Sequence, residues 1–303
     1  MTELSGTLSA LVTPFTDGGA EVDESALRVL VDKVVDDGID GIVPCGGTGE
    51  FATMTNAERR RVVEIVLDQV AGRIPVVPHV GAGSTAQAVE LSRHAADHGA
   101  AALLLTVPYF EPITEPEAAE YYTRVAGSVA LPIVAYNQPA GTGLQQHPAF
   151  LRELASRVPA VRYVKDSFGD LGQLYDFATA DEPVRVLNGV DSVLGPAFLL
   201  GVRGHITGGA NFLGAVYRQI TDAVRAGDQA TVARLWVATY PVARLIENLP
   251  YNAAVKAACE LTGRPASLTR SPARPLTADE HAVLARALRT LEGAVDGLVK
   301  VAR

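Results

Sequence analysis

Only four lysines stand against 22 arginines in this chain, and one of them is oddly placed. Lys33, Lys256 and Lys300 fall on helical segments, where a solvated stem is the ordinary outcome. Lys165 instead lies in "VRYVKDSFGD", residues 161–170, within an apolar, β-branched and aromatic run that reads as a strand. At a period of two, Val161, Tyr163 and Lys165 share one face. If Val161 and Tyr163 fill interior layers, the ammonium group points inward. Burial disfavours a charged lysine and makes the neutral amine available to attack a carbonyl. The alternative is an inward lysine paired with a carboxylate, and strand position alone leaves both open.

Other residue types point to the same kind of chemistry. In "CGGTGE", residues 45–50, glycines at Gly46, Gly47 and Gly49 free the backbone amides to converge as an anion nest, and Thr48 adds a hydroxyl. No Gly-Lys-Ser/Thr follows, so this is no Walker A loop; taken alone it is also compatible with a plain tight turn. "AYNQP" ends another strand and puts Tyr136 on the face of Val134, as a proton carrier or a core tyrosine. His79, in "VPHVG", can reach the same end of the fold. "ITGGAN", with Thr207 and Gly208, follows the last strand, where barrels often bind phosphate. "GAGSTA" from Gly81 matches a relaxed dinucleotide fingerprint, but "ALLLTVP" offers no acidic residue for the ribose. His94 and His98 sit at i and i+4, yet no third metal ligand is near in sequence, so they read as surface residues.

Short β-like runs must hold these groups, and they alternate with helix-period segments eight times. The strand candidates begin at Thr7, Gly41, Ile74, Ala101, Leu131, Val161, Val184 and Gly204. Asp23 can cap the first helix, whose apolar stripe includes Leu27, Leu30, Val31 and Val34 before Gly38. "TNAE" from Thr55 is a capping box, and Ser84 caps a helix reaching about His98. The pattern predicts a (β/α)8 TIM barrel over residues 1–226, with its site at the carboxyl ends of the strands. A doubly wound sheet is the alternative fold. Residues 227–303 read as three further helices, an extension within the same globular unit.

Composition narrows the partners. With a formal net charge of −8, the chain does not favour nucleic acid or anionic membrane, which reward clustered Lys and Arg. Two cysteines, Cys45 and Cys259, make no disulfide framework and suit a reducing compartment. The N-terminal residues lack a signal-peptide pattern, and no apolar run reaches about 18 residues, so a cytoplasmic location is expected.

Taken together, "CGGTGEFATMT", "PYFEP", "AYNQPAGTG", "VKDSFGD", "NGVD" and "ITGGANF" occur in the order and spacing of one family. From about Leu8 to the C-terminal helices, the chain resembles the dihydrodipicolinate synthase and N-acetylneuraminate lyase superfamily, the pyruvate-type class I aldolases. The resemblance implies a (β/α)8 barrel with a helical extension, a homotetramer or homodimer, and neither metal nor organic cofactor. It implies that Lys165 forms an imine with the C2 carbonyl of a 2-oxo acid and that Tyr136 shuttles protons. Gly47 and Thr48 would hold the substrate carboxylate, with Gly189, Thr207, Gly208 and Phe110 as further substrate-binding positions.

The departures bear on substrate. The synthases and sialic acid lyases usually have Thr or Ser where Gly47 stands and a second tyrosine where Phe110 stands, both hydroxyl partners of the relay tyrosine. The synthases also carry an arginine for the semialdehyde carboxylate where this chain has Gly141. "GGTGEF" with "KDSFGD" is closer to the keto-deoxy-glucarate dehydratase branch, whereas "AYNQPAGTG" is not. His79, where relatives commonly have a small residue, is a candidate substrate-specific group. The expected activity is a Schiff-base lyase, aldolase or dehydratase, acting on a 2-oxo acid or keto-deoxy sugar acid. Within the family, the alternatives are a 5-dehydro-4-deoxyglucarate dehydratase-like enzyme and dihydrodipicolinate synthase proper. Outside it stand a phosphate-binding barrel enzyme with Lys165 merely paired, and a non-catalytic 2-oxo-acid sensor.

Overall fold

The computed structural model describes residues 3–179, 184–295 and 299–301. Its first part runs β1 (Gly6–Ala10), α1 (Glu24–Asp36), β2 (Gly41–Val43), α2 (Asn56–Val70), α3 (Thr85–Asp97), β3 (Leu103–Thr106), α4 (Glu115–Ala126) and β4 (Ile133–Asn137). Next come α5 (Pro139–Thr142), α6 (Pro148–Arg157), β5 (Val161–Asp166), α7 (Leu171–Thr179), β6 (Arg185–Asn188), α8 (Leu194–Leu199), β7 (Gly204–Thr207) and α9 (Gly214–Ala226). Three helices follow: α10 (Gln229–Asn248), α11 (Tyr251–Leu261) and α12 (Ala278–Ala294). The last residues of the third expected C-terminal helix, 296–298, lie outside the described residues.

Local signals explain where the helices start. Asp23 accepts the Ala26 amide at 3.0 Å ahead of α1, whose Leu27, Leu30, Val31 and Val34 are buried. Thr55 and Glu58 close a reciprocal capping box on α2, and Ser84 caps α3.

All strand pairs in the sheet are parallel, in the order β2-β1-β7-β6-β5-β4-β3. A full strand is expected from Ile74, but the segment there makes only isolated bridges, Val76 to Ile42 and His79 to Leu104. Pro75 and Pro78 have no N–H to give, so the ladder is interrupted. The remaining groups still close the ring. Val77 and His79 donate to the carbonyls of Ile42 and Pro44, while Val80 donates to Leu104 and Pro78 accepts from it. The fold is a (β/α)8 barrel whose third stave is proline-broken, followed by a C-terminal helical extension.

Leu8, Ala10, Val43, Val77, Ala102, Leu104, Val134, Tyr163, Leu187 and Ile206 fill the barrel interior. Val161 was expected among them and instead packs with the outer layer. The cause is a bulge: Ile133 pairs with Val161 and Val134 with Tyr163, so Arg162 is an extra residue on β5. Beyond the bulge the alternation holds, and Lys165 follows Tyr163 onto the inner face. Among the described residues no helix is long and apolar enough to cross a membrane.

Candidate active site

Lys165 and Tyr136 meet by strand register. They are Cα partners across β4 and β5, at the carboxyl ends where inward side chains reach the mouth. The Lys165 Nζ lies 4.2 Å from the centroid of the Tyr136 ring, and only 4% of Lys165 is exposed. Among the described residues no carboxylate pairs with Lys165, so the ion-pair alternative finds no partner there.

The residues after each lean on one another. Asn137 donates from Nδ2 to Asp166 Oδ1 at 2.6 Å and accepts the Gln146 amide, while Gln146 Nε2 donates to the Tyr136 carbonyl. Gln173 also donates to Asp166 Oδ1, leaving Oδ2 without a partner. Burial pushes the Asp166 carboxyl up to about 6, against the pull of these hydrogen bonds. Gly189, after β6, donates its amide to the Asp166 carbonyl at 2.7 Å.

On the opposite side, the loop 45–50 is held at both ends by non-glycine residues of positive φ, Cys45 and Glu50, each at 59°. Gly49 is required by packing, because a Cβ there would lie 2.9 Å from the Leu11 carbonyl oxygen. Gly47 is not: a Cβ there would meet nothing within 4 Å. Thr48 is buried beside Gly208, bringing the loops after β2 and β7 together.

Helix α11 secures that junction. Asn252 Nδ2 donates to the Gly47 carbonyl at 3.0 Å, and the Gly208 amide donates to the Tyr251 hydroxyl at 3.1 Å. Tyr251 in turn donates to Asp191 Oδ2 at 2.9 Å, while Tyr217 and the Gly209 amide donate to Asp191 Oδ1. The amides of Gly208 and Gly209 are thus spent on protein groups, one of them a carboxylate. An anion nest for phosphate is not formed after β7, contrary to that alternative. One turn beyond Asn252, Lys256 Nζ reaches Glu50 Oε1 at 2.5 Å, both side chains almost wholly buried. Lys256 was expected to be solvated; burial instead pulls its ammonium below the ordinary value, with Glu50 opposing the shift.

The remaining candidates divide. His79 is buried, with Nδ1 2.9 Å from the Cys45 carbonyl and Nε2 2.9 Å from Thr106 Oγ1. Nδ1 must donate to the carbonyl, so Nε2 accepts from the threonine. Desolvation first, then the nearby Arg59, hold the imidazole well below its usual range, so it is neutral. Its nitrogens are both used within the protein, and it meets the mouth through its ring, which stands edge-on to Tyr136 with centroids 6.5 Å apart. Thr207 turns its hydroxyl toward His205 Nδ1 in the outer layer and can offer the site only backbone. Phe110 is 95% exposed at φ 86° and stands apart from the ring cluster of Phe51, His79 and Tyr109. His94 on α3 and His98 at its C-terminal cap lie on the outside of the barrel. Tyr251 and Asn252 carry no such signal in sequence, whereas "AAVKAAC" sets Lys256, like Lys165, among apolar neighbours.

With this geometry in hand, the relatives are informative. The model of the dihydrodipicolinate synthetase family matches residues 3–291. The 4-hydroxy-tetrahydrodipicolinate synthase of Geobacter sulfurreducens is 38% identical over 282 residues, covering 92% of this chain and 96% of that protein. The Methanopyrus kandleri protein of the same name is 35% identical over 291 residues, 95% of this chain and 97% of the relative. Among solved structures, a prophage protein of the dihydrodipicolinic acid synthase family from E. coli K12, in complex with pyruvate, superposes with a TM-score of 0.91. It is 30% identical, with 96% of this chain and 99% of that one covered. Barrel, extension and relatives define a lyase of the class I aldolase type. The chain belongs to the dihydrodipicolinate synthetase family.

Two consequences can be measured. Removing one member of a buried ion pair typically costs about 3–5 kcal/mol because the other charge is left unpaired. Lys256→Met is therefore expected to destabilise the fold by that order, read as a lower urea midpoint, and to raise KM for the 2-oxo acid more than it lowers kcat; an unchanged midpoint would show the pair to be dispensable. For Asp166, the raised carboxyl penalises the ionised form in the folded state. The penalty is full above about pH 6 and relieved as pH falls toward the ordinary value of 3.8. Compared with Asp166→Asn, the native chain should gain roughly 1 kcal/mol of stability between about pH 7 and pH 5, read from paired urea titrations. A flat difference would contradict the raised carboxyl.

Proposed function

We propose that this enzyme forms an imine between Lys165 and the C2 carbonyl of a pyruvate-type 2-oxo acid. The neutral amine adds to C2 and water leaves, giving an iminium that draws electrons from C3. A proton or carbon electrofuge lost from C3 leaves an enamine, so C–C bonds form or break there and a C–O bond one carbon further can be eliminated. Tyr136 donates and accepts the protons, and Gly47 with Thr48 cradles the carboxylate. The observation that carries this reading is the buried Lys165 Nζ poised 4.2 Å from the Tyr136 ring centroid at the ends of paired strands. Arg59 supports it: this buried guanidinium donates to the His79 carbonyl at 2.8 Å, its Nε has no partner, and its positive field favours an anionic substrate.

The acceptor is proposed to lack a carboxylate near its aldehyde. The stretch "QPAGTGLQQ" after β4 contains no charged residue, and Gly141 turns its amide onto Gln138 Oε1 at 2.7 Å. A neutral, hydroxyl-bearing partner, as in a keto-deoxy sugar acid, suits this uncharged stretch better than a semialdehyde carboxylate does. Open space at Gly47 supports the same choice. No metal or organic cofactor is needed for the proposed steps, because the iminium itself is the electron sink. We also propose a cytoplasmic homotetramer or homodimer. The exposed Phe110 ring supports this, since a partner subunit is what would cover it.

Borohydride with a panel of 2-oxo acids, followed by intact and peptide mass, tests the imine. An adduct on Lys165, absent in Lys165→Ala, is expected; no adduct with pyruvate or any larger 2-oxo acid would falsify the reading. Tyr136→Phe should still trap pyruvate but turn over about 10²–10⁴-fold more slowly. Trapping without turnover of any sugar acid would instead indicate a 2-oxo-acid sensor. Gly47→Thr should fold with an unchanged midpoint, yet trap six-carbon keto-deoxy acids less well relative to pyruvate. An unchanged ratio would remove Gly47 from substrate choice.

A further inference from the structure

On the outer face of the barrel, helices α2 and α3 bring together three groups that the reaction does not use. Glu64 of α2 lies beside His94 and His98 of α3, and one ligand atom from each falls within 4.8 Å of the other two. The two imidazoles are a turn apart on one helix face, with ring centroids 4.2 Å apart and planes tilted by 32°. His94 Nε2 is 3.0 Å from Glu64 Oε1. His98 Nδ1 lies 2.7 Å from the His94 carbonyl, to which it must donate, so Nε2 is the ring nitrogen left for a ligand. That is the arrangement of a metal-ligating histidine, with one nitrogen fixed by a backbone carbonyl and the other free to coordinate.

We propose that Glu64, His94 and His98 form a surface site for a divalent late transition ion, of which Zn²⁺ and Ni²⁺ are the test cases. Two imidazole nitrogens and one carboxylate oxygen suit such ions and do not suit Mg²⁺ or Ca²⁺, which take oxygen ligands. Ligands about 2.0–2.1 Å from a tetrahedral ion lie roughly 3.3 Å apart. The cluster therefore needs only small side-chain rotations, and a fourth position stays open to water. Arg61 competes for the carboxylate, its Nη1 lying 3.2 Å from Glu64 Oε2, but the oxygen facing His94 is the other one. A bound ion would clip α2 to α3, which flank the proline-broken stave.

Calorimetric titration of the full chain, free of any affinity tag and stripped with chelator, tests the site with Zn²⁺ and Ni²⁺ near neutral pH. One ion per chain is expected, released again by chelator, with an ion-dependent rise in Tm. His98→Gln and Glu64→Gln should each weaken binding at least about tenfold and abolish the rise, because a ligand is lost outright. His281→Gln, at an exposed histidine elsewhere, should bind as the native chain does. Equal affinity in native chain and His98→Gln, or no binding by either, would overturn the site. Full affinity in Glu64→Gln would also overturn it, reducing the cluster to a bare histidine pair. The metal-free Tm of each variant reports whether it has folded.

Discussion

The buried pair of Lys256 and Glu50 holds the substrate end of this molecule together. Taking two such charges out of water is expensive, and it is repaid only when geometry and surrounding hydrogen bonds are good. Here they are. Lys256 also donates to the Leu268 carbonyl and stands 4.4 Å over the Phe15 ring, while the Arg270 amide donates to Glu50 Oε2. Arg270 covers the other contact to Phe15 at 4.1 Å. The pair thus joins three distant stretches of chain at one point: the segment after β1, the loop after β2, and the C-terminal extension. Without it, Glu50 would have little reason to remain at positive φ, and the glycine loop before it would lose its anchor.

The same logic extends to the catalytic side. Tyr136 and Lys165 are placed by register, but the chain beyond them is placed by Asn137, Gln146, Gln173 and Asp166, all buried or nearly so. These polar groups hold the loops after β4 and β5 together and let the two functional side chains stand on rigid strands. The extension contributes Tyr251 and Asn252 in the same way, tying the loops after β7 and β2 to one helix end. A site made from loops is made stiff by residues that never touch substrate.

Much of this could be read from sequence because period and capping are local. Asp23, Thr55 and Ser84 mark helix starts by chemistry that acts over three residues, and the βα alternation announces the barrel. What stayed hidden depends on distant partners or on small interruptions. Pro75 and Pro78 remove donors from a stretch whose apolar pattern still looks like a strand. The bulge at Arg162 sends Val161 outward without disturbing composition. Lys256 sits on a helix, where a lysine stem usually reaches solvent, and only its apolar neighbours and a distant Glu50 reveal its burial. Glu64 completes the histidine pair only after α2 packs against α3, so sequence spacing could not reveal it.

Glycine content separates constraint from choice in the loop that faces Lys165. Gly49 is dictated by the fold, since Leu11 leaves no room for a side chain. Gly47 stands in open space at an ordinary backbone conformation, and the barrel would accept threonine or serine there. Packing therefore does not impose the missing hydroxyl. Phe110 is turned to the outside, and Gly141 gives its amide to Gln138 Oε1 within an uncharged stretch. Packing thus leaves room for a side chain at Gly47, whereas at Gly141 a Cβ would lie 2.4 Å from Gln138 Oε1 and the glutamine would have to give way.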